Sequence, residues 1–477
     1  MASGAQIPLF IAIDHEGGII TRLGDRVTEF PSNMVVGATR SLSKARLMAD
    51  AMASELKAIG INMTLGPVLD VNRDPANPVI GTRSFGSDPD LVTRMGLAMI
   101  EWYQGHGMIA VAKHFPGHGD TTVDSHVSLP RLDADRRHLD AVEFRPFRTA
   151  TAAGVDAIMT AHITVPGLDP RSTHPATLSA PILTGVLRQQ WGFDGLIATD
   201  SLGMGAIDHT FGMTRATVLA FQAGADLLMF GWDTVHALPE MHAAYDALLE
   251  LVQKDSSSAE RLDSSVRRIL RTKAKRGILD WEPPSSPISS TIRWQEHLLL
   301  ARRIAQDSIT LLRDDAQILP LSPETRLLVI YPQSVPNMET VLRYCFENLQ
   351  SLPVRMNPKD SEIETAQEKA TDAEVIIIAT LNAMQFSKQG TLVQALAKEA
   401  RPLVVVALRS PYDLLMFPDQ TTYVAIYGET SPSLEAMADL VCGKIQPRGL
   451  LPVDLPGLYA SGDGLRHFTS PGSLDGD

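Results

Sequence analysis

The stretch MIAVAKHFPGHGDTTVDSHVSLP, residues 108–130, joins an apolar segment to a loop that is rich in polar side chains. Its first five residues, MIAVA, have the length and composition of a buried strand. Pro116, Gly117 and Gly119 then oppose regular structure, because proline lacks a donor and glycine permits unusual backbone conformations. The stretch therefore predicts a strand that ends in a long, bent loop. In parallel α/β proteins, loops at the carboxyl ends of strands build active sites.

The chain on both sides of this stretch alternates between strand-like and helix-like segments. Apolar segments typical of buried strands lie at residues 7–13, 61–68, 108–112, 156–161, 196–199 and 225–230. Helix-like segments lie between them at residues 43–59, 91–104, 139–153, 181–191 and 214–223. Neighbouring parallel strands need crossover connections of about this length. The first half is therefore predicted to form a parallel sheet.

Several of these strand-like segments end in polar residues. The residues concerned are Asp14, Lys113, His114, His162 and Asp200. In a (β/α) barrel, the residues that follow the strands converge at one rim, where catalytic groups collect. A doubly wound sheet is the competing fold, but the first strand is followed by DHEGG, which is not the GxGxxG pattern of dinucleotide-binding proteins. The pattern favours a TIM-like barrel.

The second half predicts a smaller α/β sandwich domain. A Pro- and Ser-rich segment, residues 281–290, reads as a linker, and a helix follows near residues 295–312. We predict four parts: a TIM-like catalytic domain at 1–285, a linker and connecting helix at 286–320, an α/β sandwich at 321–460, and a disordered tail at 461–477.

Composition limits the classes of partner. The formal net charge of −13 argues against nucleic acid or an anionic membrane as the main partner and favours small, weakly charged ligands. Cys345 and Cys442 are the only cysteines, which leaves no disulfide framework. No signal peptide or membrane span is visible. A cytoplasmic location is expected, although a secretion signal could stand upstream of this sequence.

The histidines of the central loop could serve a metal or proton transfer. His114 and His118 are spaced as H-x3-H, but this spacing suits ligands on a helix, which Pro116 and the glycines oppose. We therefore predict no metal and no cofactor. Asp124 precedes His126 by two residues, so its carboxylate can orient the imidazole and favour the imidazolium that a general acid needs.

Asp200 follows the apolar segment LIAT and has two readings from the sequence. An aspartate here can cap the next helix by accepting from its first backbone N–H groups. A carboxylate opposite a His/Asp acid can also attack the anomeric carbon of a sugar in a retaining glycosidase. Spacing alone leaves both readings open.

Four segments, in order and spacing, closely resemble glycoside hydrolase family 3, in particular its β-N-acetylglucosaminidase branch. The segments are IAIDHEGGIITRL, GPVLDVNRDPANPVIGTRSFG, VAKHFPGHGDTTVDSH and GLIATDSLGM, and the resemblance continues through ARRIAQDSITLLRDDAQILPL. The resemblance implies that Asp200 is the nucleophile, that His126 is the general acid/base, and that Asp124 tunes His126. It also implies that a set of residues binds the sugar, namely Asp14, Arg22, Arg83, Lys113 and His114.

The resemblance departs from the family at the start of the sequence, because relatives carry a further strand and helix before the D-x-E-G-G segment. We therefore expect a barrel that lacks its first β/α unit, with an open edge and exposed apolar surface. A truncated sequence, a modified barrel or a partner chain would each account for this edge. A homo-oligomer is one such arrangement.

The expected function is a retaining exo-β-N-acetylglucosaminidase that removes terminal GlcNAc from chitooligosaccharides or peptidoglycan fragments. Two alternatives remain. A histidine in place of a carboxylic acid would repel an incoming phosphate less, which permits a β-N-acetylglucosaminide phosphorylase. An incomplete barrel would instead suit a catalytically silent sugar-binding protein.

Overall fold

The computed structural model describes residues 7–170, 173–231, 238–280 and 294–468. The chain forms two compact units. The first comprises Met1–Glu16, Ala45–Ser84 and Pro89–Ile292, and the second comprises Gly17–Lys44, Phe85–Asp88 and Arg293–Asp477. The predicted linker, residues 281–290, and the end of the predicted tail, residues 469–477, lie outside the described residues. The domain boundaries given above stay predictions.

The first unit contains a parallel sheet of five strands in sequence order. These are β1 (Ala12–Ile13), β2 (Met63–Thr64), β3 (Ile109–Phe115), β4 (Ala157–Thr160) and β5 (Leu196–Ala198). Every pairing between neighbours is parallel, and a further parallel bridge joins Ala198 to Leu227 in the sixth predicted strand. The predicted parallel α/β domain is confirmed. Hydrogen bonds between the described strands form an open series and do not show a closed barrel.

Helices connect these strands, as the crossover rule requires. The α-helices up to residue 280 are α1 (Asn33–Ala38), α2 (Leu42–Ala58), α3 (Pro89–Gly105), α4 (Arg136–Ala141), α5 (Phe144–Ala152), α6 (Gly205–Phe211), α7 (Met213–Ala223), α8 (Leu238–Lys254) and α9 (Ser256–Lys275). A π-helix spans Pro181–Gln190, and a 3₁₀ turn, Gly81–Arg83, carries Arg83.

The core of the first unit is built from apolar side chains of neighbouring strands. Met63, Ile109, Val111, Met159 and Leu196 are buried together. Burying one such side chain stabilises the fold by about 1.5–3 kcal/mol, so this cluster fixes the sheet.

An aromatic cluster holds the carboxyl end of β3. Phe115 stacks on Phe144 at 5.7 Å between ring centroids and meets Phe147 and Trp191 edge-on at 5.6 and 5.5 Å. These contacts join the end of β3 to α5 and to the end of the π-helix. The residues just before Phe115 are therefore held in fixed positions.

The second unit contains a mixed sheet of six strands, with β6 antiparallel to β11 and the other pairs parallel. In the order β6-β11-β10-β9-β7-β8, the strands are β6 (Thr310–Asp314), β11 (Thr422–Ala425), β10 (Leu403–Ala407), β9 (Val375–Thr380), β7 (Leu327–Pro332) and β8 (Leu349–Val354). Its helices are α10 (Trp294–Ser308), α11 (Asn337–Arg343), α12 (Asp360–Ala370), α13 (Lys388–Leu396) and α14 (Ser431–Val441). The second α/β unit is as the sequence predicted.

Two details differ from the sequence prediction for this unit. The helix predicted over 295–312 ends at Ser308, because the next residues pair with β11 as strand β6. Within the predicted tail, the backbone N–H of Leu465 donates to the carbonyl of Leu311 at 2.8 Å, so residues 461–468 include an ordered contact. Among the described helices, none has the length and apolar character needed to cross a membrane.

Candidate active site

The polar residues at the strand ends lie along one edge of the parallel sheet. Asp14 follows β1, His162 follows β4 and Asp200 follows β5, while Lys113 and His114 lie within β3. Because all five strands run in the same direction, these residues share the carboxyl edge. Strand β3 is longer than predicted, since the sequence ended it at residue 112. The side chains of Lys113 and His114 remain buried because the acids Glu16 and Asp70 pair with them.

Lys113 lies at the centre of a buried ion cluster. Its side chain is 1% exposed, and its Nζ lies 2.6 Å from Asp14 Oδ1 and 2.7 Å from Glu16 Oε1. Arg83 donates to both Glu16 oxygens through Nε and Nη2, each at 2.9 Å. This two-point contact fixes the guanidinium plane as well as its charge.

Glu16 is held as a carboxylate by this cluster. Burial alone would favour its neutral form, but the charges of Arg83 and Lys113 outweigh that effect and lower the pKa of Glu16 far below its usual value. The same burial opposes charge on Lys113, and Glu16 and Asp14 nevertheless raise its pKa. Glu16 and Lys113 are therefore both charged at neutral pH.

Asp70 anchors both ends of the HFPGH segment. Its carboxylate contacts His114 Nδ1 at 2.7 Å and accepts from the backbone N–H of His118 at 2.7 Å. Burial opposes its charge, but the interaction with His114 and these hydrogen bonds keep the pKa of Asp70 below its usual value. The other ring nitrogen of His114 lies 3.4 Å from Arg83 Nη2.

His118 shapes the loop from within. Its Nε2 lies 3.0 Å from Ser125 Oγ and its Nδ1 lies 2.8 Å from Thr121 Oγ1, so both ring nitrogens are used inside the loop. Gly119 makes this path feasible, because a Cβ there would lie 1.9 Å from the carbonyl oxygen of Val71. His118 therefore has a structural role within the loop.

Asp124 and His126 form the predicted dyad. Asp124 Oδ1 lies 2.8 Å from His126 Nδ1 and accepts from the His126 backbone N–H at 2.8 Å. The imidazole is 55% exposed, which leaves Nε2 accessible to a substrate. These two contacts fix the orientation of the ring relative to its own backbone.

The loop that carries this dyad rests on the segment that follows Asp200. The backbone N–H of Gly205 donates to the carbonyl of His126 at 3.2 Å, and that of Ala206 donates to Ser125 at 3.3 Å. A Cβ on Gly205 would lie 2.6 Å from the His126 carbonyl oxygen, so only glycine fits. The contact brings the acid/base loop and the Asp200 loop together.

Asp200 does not cap the following helix. Met204 occupies the position before α6, whereas Asp200 Oδ1 accepts from the backbone N–H of its neighbour Ser201 at 2.7 Å. Burial opposes the charge of Asp200, but interactions with His162 and His114 lower its pKa below the usual value. The capping role that the sequence left open is therefore absent, and the carboxylate is ionised.

His162 holds the backbone that follows Asp200. It is buried, with Nε2 2.7 Å from the carbonyl oxygen of Ser201 and Nδ1 2.8 Å from Thr177 Oγ1. Burial lowers the pKa of His162, while Asp200 opposes this shift. The neutral ring therefore positions the backbone next to Asp200.

The structure adds three residues to those that the sequence assigned, namely Glu16, Asp70 and His162. Glu16 belongs to the DHEGG motif, and Asp70 follows an apolar strand segment, so both carried a local signal. His162 was noticed at its strand end but received no role. Arg22 is exposed and lies in the second unit, so its assignment to the sugar site stays a prediction.

We expect acid to destabilise the protein through His118. Burial lowers the pKa of His118 to about 4, whereas an unfolded histidine titrates near pH 6.5. Between these values the unfolded chain binds more protons, so this group lowers stability as the pH falls from about 6.5 to 4, by up to about 1.4 kcal/mol per pH unit. In urea titrations across this range, a His118→Gln variant should lose stability less steeply than the wild type.

The measurement contains its own control at higher pH. Above about pH 8 the imidazole of His118 is neutral in both the folded and the unfolded chain, so the wild type and His118→Gln should show the same dependence of the unfolding free energy on pH. Equal slopes for the two proteins between about pH 6.5 and 4 would contradict the assignment of this acid sensitivity to His118.

Comparisons with known proteins match both halves of the chain. The Glycosyl hydrolase family 3 N terminal domain matches residues 1–272, and the C-terminal domain of that family matches residues 309–463. The beta-hexosaminidase A of Pseudoalteromonas piscicida is 31% identical, over 94% of this chain and 84% of its own length.

Two solved structures share the fold over most of the chain. A family 3 beta-N-acetylglucosaminidase from Paenibacillus sp. str. FPU-7 is 37% identical, with a TM-score of 0.87, over 94% of this chain and 87% of that chain. A beta-glucoside phosphorylase is 26% identical, with a TM-score of 0.82, over 95% of this chain and 85% of that chain. The family predicted from the sequence motifs is thus confirmed: the chain belongs to glycosyl hydrolase family 3 and is a glycoside hydrolase.

Proposed function

We propose that the protein is a retaining exo-β-N-acetylglucosaminidase that releases terminal GlcNAc from chitooligosaccharides or peptidoglycan fragments. The observation that carries this proposal is the contact between the Asp124–His126 loop and the segment after Asp200. That contact joins the loop of an oriented imidazole to the segment after an ionised carboxylate, the two groups that a retaining glycosidase needs. The names of the hexosaminidase relatives support the choice of sugar.

The first step forms a covalent intermediate. Asp200 Oδ1 is held by Ser201, so Oδ2 is free to attack the anomeric carbon. As the new carbon–oxygen bond forms, the glycosidic bond breaks, and the His126 imidazolium gives its Nε2 proton to the departing oxygen. Asp124 stabilises that imidazolium through Nδ1.

The second step returns the enzyme to its starting state. Neutral His126 removes a proton from water as the water oxygen attacks the anomeric carbon, and the bond to Asp200 breaks. Two displacements at one carbon retain its configuration. Neither step requires a metal or a cofactor.

The buried ion cluster would position the sugar. Asp14 is partly exposed and can accept hydrogen bonds from sugar hydroxyls, while Lys113 fixes its carboxylate. Arg83 and His114 contact each other at the same edge and can donate to ring hydroxyls or to the acetamido oxygen. Arg22 is proposed as a further sugar ligand on the resemblance alone.

The parallel sheet is proposed to be part of a TIM-like barrel. The support is the position of Asp14, Lys113, His114 and Asp200 after or near the carboxyl ends of β1, β3 and β5. Functional residues of barrel enzymes lie at this rim.

The function is tested by hydrolysis of p-nitrophenyl β-N-acetylglucosaminide by the full chain, with the β-glucoside as the control. We expect release from the acetamido sugar to be at least about tenfold faster than release from the glucoside. Glucose lacks the acetamido group, so polar groups of the site that bond it would be left unpaired. Release from neither sugar by a protein that melts cooperatively would contradict the proposal.

A phosphorylase is the second candidate, favoured by the phosphorylase among the structural neighbours and by histidine as the acid/base. In that reaction, phosphate instead of water attacks the anomeric carbon of the intermediate. The same assay in phosphate buffer separates the two functions. GlcNAc-1-phosphate as the main product would establish phosphorolysis, and free GlcNAc would establish hydrolysis.

We expect a His126→Ala variant to depend strongly on the leaving group. Without the acid, kcat/KM for a natural chitooligosaccharide should fall about 100- to 10,000-fold, because the departing alkoxide must leave without a proton. A p-nitrophenolate leaving group needs little protonation, so the same parameter for the aryl glycoside should fall far less. A His106→Ala variant is the matched control, because His106 also pairs with an aspartate, Asp50, but lies outside the site. Equal losses on the two substrates would contradict the acid role.

A further inference from the structure

Three potential metal ligands lie close together near the loop that carries Asp124 and His126. Asp120 lies in that loop, His138 lies in α4 and Glu143 precedes the first residue of α5. One ligand atom from each side chain lies within 4.8 Å of the other two. This cluster shares no residue with the proposed sugar site, and the proposed mechanism does not use it.

Glu143 is the unusual member of the cluster. Its residue is 1% exposed, yet neither carboxylate oxygen accepts a hydrogen bond from any residue that the structure describes. The nearest cationic group is His138, whose Nε2 lies 3.3 Å from Oε1 without hydrogen-bond geometry. A buried carboxylate without donors is costly, so a positive partner is expected here.

Two neighbouring arginines, Arg136 and Arg145, are engaged elsewhere. Arg136 donates to Asp140 at 2.9 Å, and Arg145 pairs with Asp90. The side of Glu143 that faces the loop is closed by Gly117, where a Cβ would lie 2.7 Å from the Cβ and Cγ of Glu143. The carboxylate oxygens are thus left to the space between His138 and Asp120.

We propose that Asp120, His138 and Glu143 bind a divalent transition-metal ion of the zinc class. Ligand atoms about 2.1 Å from a tetrahedral metal lie about 3.4 Å apart. His138 Nε2 lies 3.3 Å from Glu143 Oε1 and 3.8 Å from Asp120 Oδ2, and the oxygens of the two carboxylates lie within 4.8 Å of each other, so an ion would bring Asp120 closer to the other two ligands. One imidazole with two carboxylates suits zinc, cobalt or manganese, and the ion would offset the charge of the two carboxylates.

The outer side of the cluster would supply the remaining ligand as water. The His138 and Asp120 side chains are 37% and 35% exposed, so solvent reaches the site from one side. A bound ion would link the loop at Asp120 to α4 and α5. It would thus act as a structural cross-link beneath the acid/base loop.

The test uses the full chain, stripped of metal with a chelator and titrated with Co²⁺ and Zn²⁺. We expect the wild type to bind one equivalent more than His138→Gln and Asp120→Asn, and to show a visible Co²⁺ absorption that both variants lack. His106→Gln, the half-exposed histidine next to Asp50, is the matched control and should behave as the wild type. Zn²⁺ should raise the Tm of the wild type and of this control, but not that of the two site variants.

Two results would overturn the proposal. If the wild type, His138→Gln and Asp120→Asn bind the same number of equivalents, the cluster is not the site. If the wild type binds no Co²⁺ or Zn²⁺ at micromolar concentrations, the cluster is an ion pair of His138 and Glu143 without a metal. The Glu143→Gln variant adds a check. It should bind no metal, yet its metal-free form should not be less stable than the metal-free wild type, because the buried charge that disfavours the empty site is gone.

Discussion

Replacing Asp200 by Asn is expected to lower kcat at least about 1000-fold, the largest effect on activity that the structure predicts. The amide keeps the size of the side chain but cannot attack the anomeric carbon. Asp200 is suited to this attack because interactions with His162 and His114 keep it ionised and Ser201 fixes one oxygen. The measurement is kcat on the aryl N-acetylglucosaminide, with thermal unfolding to confirm that the variant is folded.

Azide separates loss of the nucleophile from general damage. In an Asp200→Gly variant, azide can enter the vacated space and attack the anomeric carbon from the same face, which gives the α-glycosyl azide as the leaving group departs. Asp133→Asn is the control, since Asp133 is exposed and pairs with Arg131 outside the site. Near-normal kcat in Asp200→Asn would remove Asp200 from the nucleophile role.

Replacing Lys113 by Met is expected to cause the largest loss of stability, about 3 kcal/mol or more. Methionine has nearly the same length, so the change removes mainly the charge. Asp14 loses its partner, and the buried Glu16 keeps only Arg83. A loss of this size corresponds to a Tm lower by roughly 6–12 °C for a unit of this size.

The matched control for Lys113 is Lys275. Its ammonium also pairs with a buried carboxylate, Asp156, but Lys275 is half-exposed and Asp156 keeps Arg276. Lys275→Met should therefore cost less than about 1 kcal/mol. In the double variant Glu16→Gln, Lys113→Met, part of the lost stability should return, because the buried charge is removed together with its partner. Equal Tm shifts for the two lysine variants would contradict the buried cluster.

The sequence predicted the parallel sheet and the dyad well, because both depend on local patterns. The apolar segments fixed the strands, and Asp124 is close enough to His126 in sequence for the pair to be read directly. The predicted end of β3 was wrong, because the polar residues Lys113 and His114 suggested a loop. Their burial depends on Glu16 and Asp70, which are distant in sequence.

The readings of Asp200 show the same limit. A sequence cannot tell whether an aspartate caps the next helix, since that depends on the path of the four residues that follow. Here SLGM turns before α6 begins, so the carboxylate stays near His162. The Asp120–His138–Glu143 cluster could not be predicted either, because its residues come from a loop, from α4 and from the position before α5.

The sheet edge holds more acidic side chains than permanently cationic ones. Asp14, Glu16, Asp70 and Asp200 lie there with Arg83 and Lys113. In the proposed mechanism, this surplus of acids would stabilise the positive charge that develops on the sugar ring as the glycosidic bond breaks. Protonated iminosugars should therefore bind better than neutral sugars of the same shape, and a phosphate dianion should be repelled from the same space.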